Sequence, residues 1–546
     1  MKRLAIVLGI LVALGVGGYF LFKQYAHYLP GLISNIRDPI ADTQPVTWAQ
    51  GPTTAPDGER APNIIVIVAD DLGFNDISRN GGVAGGLVQT PNIDALATQG
   101  VSVDIAYAAN ATCSPSRAAI MTGRYPWRFG FEFTSAPVAF SRYLSHGDSN
   151  ALRRPIFHEE RVADMPPLET LGLPPSETTI AELLQGRGYH TMHIGKWHLG
   201  ETAEMRPEAQ GFDESLGFMA GAGMFLPAND PNVVNAEVSF DPIDRFLWAN
   251  LPYAVQWNGG QRFRPEGYVT DYFANQAVSA IEANRNRPFF MYLAFNAPHT
   301  PLQASREDYD ALSNIPDHTE RVYGAMIRGL DRGVGAVMQA LRDNGIDDNT
   351  LVIFTSDNGG AWYVGMPNLN RPFRGWKATF FEGGIRTPFF ARWPGRLPAG
   401  TVVEGPATHM DIFATAAAAA GAPIERPVDG IDLLPMLRGE QDAPRHEALF
   451  WRSGPYRVVR AGDWKLQVSE TPSRVWLFNL RTDPYEQRDL SAQEPQRVAE
   501  LRALIEEHNA NLPPPLWPAL LEGPVRIDVP LNAPWTEEQE YIYWSN

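Results

Sequence analysis

Two apolar runs, each ending in a pair of oxygen-bearing side chains, limit what this chain can fold into more than any other feature. Asn63 to Ala69 reads NIIVIVA and is followed at once by Asp70-Asp71. Thr350 to Thr355 reads TLVIFT and is followed, after Ser356, by Asp357-Asn358. Both runs are rich in β-branched residues and lack polar alternation, so they read as strands buried on both faces. Such strands need helices over both sides of their sheet. The chain supplies them: Pro91 to Gln99, Ser176 to Arg187 with Ser176 as cap, Thr270 to Asn284, and Arg321 to Asn344 closed by Gly345. Tyr189 to Ile194 and Pro288 to Phe295 add further strands. The predicted fold class is α/β, with a large mixed, mostly parallel sheet sandwiched by helices.

After about Gly439 the texture changes. Ala448 to Trp451, Arg457 to Ala461, Trp464 to Val468 and Trp476 to Asn479 are short strand-like segments between turn residues, which predicts a smaller C-terminal antiparallel sheet. The organisation expected is a catalytic body over 63–439, a subdomain over 440–511 and an extended Pro-rich tail over 512–546. Residues 24–62 read as a linker, since 36–62 are rich in Pro, Thr, Gly and Asp with no apolar period.

The N-terminus is a separate signal. Leu4 to Phe22 carries no charge and follows Lys2-Arg3. At about 1.5 Å per residue the run reaches about 28 Å, the thickness of a bilayer core. Residues 1–23 therefore read as a signal anchor with its flanking positive charges in the cytoplasm, or as a cleaved signal peptide. Either places the body outside the cytoplasm: membrane-anchored and facing the periplasm or exterior, or secreted. The formal net charge of −17 argues against nucleic acid as a partner. It also means that an anionic substrate must be drawn in by a local cationic pocket.

The candidate chemistry sits at segment ends. Asp70, Asp71, Asp357 and Asn358 follow the two buried strands, where ligands gather in open α/β sheets. Adjacent acids in a strand point to opposite faces, so Asp70 and Asp71 converge only if the chain turns, which Leu72-Gly73 permits. Clustered acids with an amide oxygen suit Ca²⁺ or Mg²⁺ and not zinc. Taken singly, each Asp is equally a turn or cap residue. Lys196 and His198 lie in Gly-Lys-Trp-His-Leu-Gly after a short strand, and His299 lies in Ala-Pro-His-Thr-Pro after another. Cys113 is the single cysteine of 546 residues, so no intrachain disulfide can form. It stands before Ser114-Pro115, a helix-start signal, and Arg117 falls one turn later on the same end.

Cys113-Ser114-Pro115-Ser116-Arg117, followed by Thr122-Gly123-Arg124, resembles the sulfatase signature of the alkaline phosphatase superfamily. The resemblance runs from about Asn63 to about Leu490. It implies that Cys113 is converted to 3-oxoalanine (formylglycine) by a formylglycine-generating enzyme before the chain folds. It implies Asp70, Asp71, Asp357, Asn358 and the modified Cys113 as ligands of Ca²⁺, with Mg²⁺ as the alternative ion. It implies Arg117, Lys196 and Lys377 as a clamp on sulfate, His198 as base near the aldehyde hydrate, and His299 as acid toward the leaving alcohol. Lys377, in Arg-Gly-Trp-Lys-Ala-Thr, rests mainly on the resemblance. The implied activity is hydrolysis of aryl or carbohydrate sulfate monoesters. A phosphodiester or phosphonate monoester hydrolase using the same aldehyde is the alternative enzyme, although Asn358 stands where those relatives tend to have His. A membrane-anchored, inactive binding module is the non-enzyme alternative. Trp127, Phe129, Phe131, Trp197, Trp362, Tyr363 and Trp376 flank the motifs, as a substrate wall or as plain core.

Overall fold

The computed structural model describes residues 25–55, 58, 60–145, 152–440, 443 and 445–546. Among these residues, nine strands form the main sheet: β1 (Asn63–Ala69), β2 (Val101–Val103), β3 (His190–Lys196), β4 (Glu214–Phe218), β5 (Gln256–Trp257), β6 (Phe289–Ala294), β7 (Thr350–Ser356), β8 (Phe389–Arg392) and β9 (Thr401–Val403). Their spatial order is β9-β2-β8-β7-β1-β6-β3-β4-β5. The five central strands, β7-β1-β6-β3-β4, all run parallel, and antiparallel pairs flank them on both sides. The α/β expectation holds.

Apart from His190 at the start of β3, the central strands are buried along their whole length, because each face meets its own layer. Ile65, Ile67, Met291 and Leu293 pack with the Val269–Asn284 and His318–Asp343 helices. Ile64, Val66, Val68, Phe290 and Tyr292 face the other way, toward the Cys113–Thr122, Ile180–Gln185 and Asp411–Ala419 helices. At about 25 cal/mol per Å² of apolar surface, this two-sided burial is the main stabilising term.

The C-terminal antiparallel sheet is present, as β10 (Ala448–Ser453), β11 (Tyr456–Ala461), β12 (Trp464–Glu470) and β13 (Ser473–Asn479), in sequential order. One face carries Leu501 and Ile505 of the Pro495–Asn509 helix. The other packs Trp451, Tyr456, Trp476 and Phe478 against Phe380, Phe381 and Ile385 of the body.

Three segments depart from the sequence reading. The tail is not simply extended: Leu521–Arg526 and Tyr541–Ser545 pair antiparallel, and the first also pairs with Ile156–Phe157. Part of the stretch read as linker lies on the body. Trp48 is 3% exposed, its indole donates to Gln276, and the Ala49 N–H donates to Glu214. A single tryptophan anchors a segment whose average composition is that of a linker. The Ile180–Gln185 helix starts later than read, because Thr179 and Glu182 close a reciprocal capping box. The Leu4–Phe22 run lies outside the described residues. Among those residues no helix is long and apolar enough to cross a membrane.

Candidate active site

Four neighbouring strands deliver the polar residues to one edge. β7 leads to Asp357 and Asn358, β1 to Asp70 and Asp71, β6 to His299, and β3 ends in Lys196 ahead of His198. Register keeps them level: Ala69 faces Ser356, the Asp357 N–H donates to the Ala69 carbonyl at 3.0 Å, and the Asp70 N–H donates to Ala297 at 3.1 Å. The turn that brings the two aspartates together lies at Asp71 itself, with φ of 62°, and not at Leu72-Gly73. Aspartate tolerates left-handed backbone better than leucine does. The bend is fixed by the Asp71 N–H on Asp357 Oδ1 at 3.1 Å and the Leu72 N–H on Ser356 Oγ at 3.0 Å. His198 (φ 59°) and Ala378 (φ 65°) share this unusual conformation, so strained backbone collects around the site.

The Cys113–Thr122 helix comes down over this edge with all ten residues buried. It begins at Cys113, with Thr112 in the cap position, two residues earlier than a cap at Ser114 implies. Pro115 sits in the first turn, where its missing N–H costs nothing. Arg117, fully buried, donates from Nε to Asp357 Oδ2 at 2.9 Å and from Nη1 to the Lys196 carbonyl at 3.1 Å. Its Nη2 lies 2.7 Å from Asp357 and 3.4 Å from Asp70. Lys196 Nζ donates to both Asp70 oxygens at 2.8 Å.

Lys377 completes the ring. Its N–H donates to Gly360 and that of Ala378 to Ala111, so the lysine loop is tied both to the turn after β7 and to the approach to Cys113. Lys377 Nζ reaches Asp71 Oδ2 at 2.8 Å, Cys113 Sγ at 3.3 Å, His299 Nε2 at 3.3 Å and Tyr363 Oη at 3.1 Å. His299 Nδ1 donates to the Thr300 carbonyl at 2.6 Å, which leaves Nε2 as the acceptor facing Lys377. His198 is buried with Nδ1 unpartnered.

Burial dominates the electrostatics, and the charges decide its outcome. Burial pushes Asp70 up to about 7 against the pull of Lys196. For Asp71 the same burial is overcome by Lys377 and His299, which hold it well below the carboxylate range. For Asp357, burial is outweighed by Arg117, which lowers it. Burial drives His198 well below its ordinary value, with Lys196 adding to the effect, and lowers His299 to about 3 despite Asp71. It lifts the Cys113 thiol to about 12, so an unmodified sulfur here is a poor nucleophile.

The residues fit a hard divalent cation. Candidate ligand atoms of Asp70, Asp71, Cys113 and His299 lie within 4.8 Å of one another. Asn358 Oδ1 is buried with no hydrogen-bond partner, while its Nδ2 donates to Asp71 at 2.8 Å. An orphaned buried amide oxygen is costly unless something electropositive meets it. The four tightest groups include His299, whereas Asp357 is engaged by Arg117. All ten sequence-selected residues are buried, and contacts among them, or for His198 the charges of Arg117, Lys196 and Lys377, bring them together.

Sequence reasoning did not single out the hydroxyl of Tyr363, which donates to Asp71 Oδ2 at 2.9 Å and accepts from Lys377. Its place soon after Asp357-Asn358 was the available signal. Most of its aromatic companions are core: Trp127, Phe131 and Trp197 are almost wholly buried, and the Trp127 and Trp197 indoles donate to His508 and to the Met205 carbonyl.

Every cation in this ring answers a carboxylate, and an anionic ester entering beside them would compete for the same donors. That is the setting of an α/β hydrolase for charged esters. The chain belongs to the sulfatase family, whose sequence profile matches residues 62–422, and is a sulfuric ester hydrolase. It is 34% identical to N-acetylgalactosamine-6-sulfatase of Mus musculus, over 74% of this chain and 72% of that one. It is 32% identical to steryl-sulfatase of Mus musculus, over 89% and 87%. The crystal structure of Ps i-CgsB in complex with k-i-k-neocarrahexaose superposes with a TM-score of 0.69 at 32% identity, covering 84% of this chain and 95% of that one.

Proposed function

We propose that this chain removes sulfate from sulfated carbohydrates at the Cys113 cluster, after Cys113 has been converted to formylglycine. The observation that carries the reading is the position of Cys113 Sγ, at a helix start, 3.3 Å from Lys377 Nζ and 3.8 Å from Asp71 Oδ1. A hydrated aldehyde there supplies the hydroxyl that attacks sulfur and a second hydroxyl through which sulfate is released. Asp70, Asp71, Asp357 and Asn358, with the modified residue, would hold Ca²⁺, which supplies Lewis-acid charge for the sulfate oxygens.

The chain's own residues do the rest. Lys196 and Lys377 turn toward sulfate as it displaces them from Asp70 and Asp71, while Arg117 keeps Asp357 ionised and in place. His198, neutral in its buried site and with Nδ1 free, takes a proton from the hydrate side. The Lys377–His299 pair carries the proton for the leaving oxygen, because Nδ1 of His299 is committed to Thr300 and only Nε2 faces the site. A general acid contributes about 10²–10⁴-fold. His299→Ala should therefore lose about that factor on sugar sulfates and much less on nitrophenyl sulfate, whose leaving group needs no proton. Equal losses on both, in steady-state assays, would remove His299 from that role.

The carbohydrate preference is supported by the N-acetylgalactosamine-6-sulfatase relatives and the oligosaccharide-bound structure. Its test is a panel of galactosamine 6-sulfate, carrageenan oligosaccharides, a steroid sulfate, nitrophenyl sulfate and phenyl phosphonate. It uses protein whose Cys113 peptide is about 18 Da lighter than the thiol form, with and without chelator. Release of sulfate from the sugars, lost on chelation and restored by Ca²⁺, is expected. Turnover confined to the phosphonate would reverse the reading. Maturation requires a formylglycine-generating enzyme as transient partner. We also propose that the Leu4–Phe22 run anchors the body on the outer side of the membrane.

A further inference from the structure

Among the described residues, the Leu29–Arg37 helix is held to the body on one side only. The Gly31 N–H donates to Asn250 Oδ1 at 2.7 Å, Asn250 Nδ2 donates to the His27 carbonyl at 2.8 Å, and a Cβ at Gly31 would lie 2.8 Å from the Asn250 Cα. The opposite side carries Leu29, Leu32, Ile33 and Ile36, spaced i, i+3, i+4, i+7 and therefore on one stripe. Their exposures are 38, 56, 45 and 72%, and Tyr25 and Tyr28 beside them are 54 and 49% exposed. A run of exposed aliphatics next to tyrosines, on a helix whose other side is docked through a glycine, is the pattern of a helix lying in a membrane interface.

The occupant of this face follows from the chain that precedes it. Six residues, and so seven chain steps, separate the end of Leu4–Phe22 from Leu29. At no more than about 3.6 Å per residue, the helix cannot lie farther than about 25 Å from the end of that run. We propose that the Leu29–Ile36 face rests on the surface of the bilayer, as a second and flat attachment that fixes the orientation of the body. The proposal rests on the anchoring reading above. The net charge of −17 makes anionic headgroups unfavourable, so the contact is apolar and suits zwitterionic lipid.

The single native cysteine is buried and, in mature protein, already consumed, so an engineered cysteine labels cleanly. Full-length Ile36→Cys and Ser34→Cys variants, each carrying an environment-sensitive dye, would be reconstituted in phosphatidylcholine vesicles and floated. Co-flotation, with the dye at 36 blue-shifted and quenched by lipids spin-labelled near the headgroup while the dye at 34 stays in water, is the expected result. Sulfatase activity should be unchanged, since neither position touches the site. Co-flotation with both dyes in water overturns the docking face and leaves the anchor standing. A dye at 36 that is shielded in a protein-concentration-dependent way but untouched by lipid quencher assigns the face to a second copy and overturns the proposal. Failure to float overturns both the anchor and the face.

Discussion

Replacing Cys113 by alanine is expected to lower sulfate release by about 10⁴-fold or more, the scale on which removal of a nucleophile acts. The fold should survive. Cys113 is 3% exposed, but alanine deletes only its sulfur and suits the first turn of a helix already containing Ala118 and Ala119. A melting temperature close to that of the parent would show this. Serine is the sharper variant. Its hydroxyl would stand where the sulfur lies, near Lys377, and could attack sulfur once. It has no second hydroxyl with which to expel sulfate, so a single burst followed by arrest is expected in a quenched-flow assay. Steady turnover by the alanine variant would place the chemistry elsewhere in the molecule.

Arg117→Ala should be the most damaging substitution for stability, at about 3–5 kcal/mol, because it leaves the buried Asp357 carboxylate without its cation. Arg117 and Asp357 are both fully buried and meet at 2.7 Å. Arg117→Lys should recover only part of the loss, since an ammonium cannot span Asp357, Asp70 and the Lys196 carbonyl together. Combining Arg117→Ala with Asp357→Asn should recover more than Arg117→Ala alone, because the stranded charge is then gone. Denaturant unfolding of the four proteins measures this. If Arg117→Ala unfolds like the parent, the pair is not what neutralises this corner. Added Ca²⁺ should raise the midpoint of Arg117→Ala more than that of the parent, as a cation bound nearby substitutes for the lost charge.

Much of the frame was legible because it depends on local pattern. NIIVIVA gives β1 to the residue, and Pro91 and Gly100 bracket a helix that the structure places at Pro91–Gln99. What local pattern does not carry is pairing across distance. Arg117 and Asp357 are 240 residues apart, and Lys196 and Asp70 are 126 apart. The motifs could nominate these side chains but not say which carboxylate each cation meets. Tyr363 was legible only as a ring, wall or core, because nothing local in the sequence says that its hydroxyl reaches Asp71 and Lys377. The tail was read as extended but not as paired, although Tyr541-Ile542-Tyr543-Trp544 alternates as a strand does.

The helix that carries Cys113 has no residue left at the surface. Once it has docked, an enzyme-sized catalyst has no route to the sulfur. Under the maturation proposed above, the sequence motif would have to be read and rewritten in the interval between leaving the ribosome and collapse, so every molecule would be committed, active or silent, before its first substrate arrives. On that proposal, a batch made by cells without the maturation machinery would be correctly shaped and inert, and no later treatment short of unfolding would rescue it.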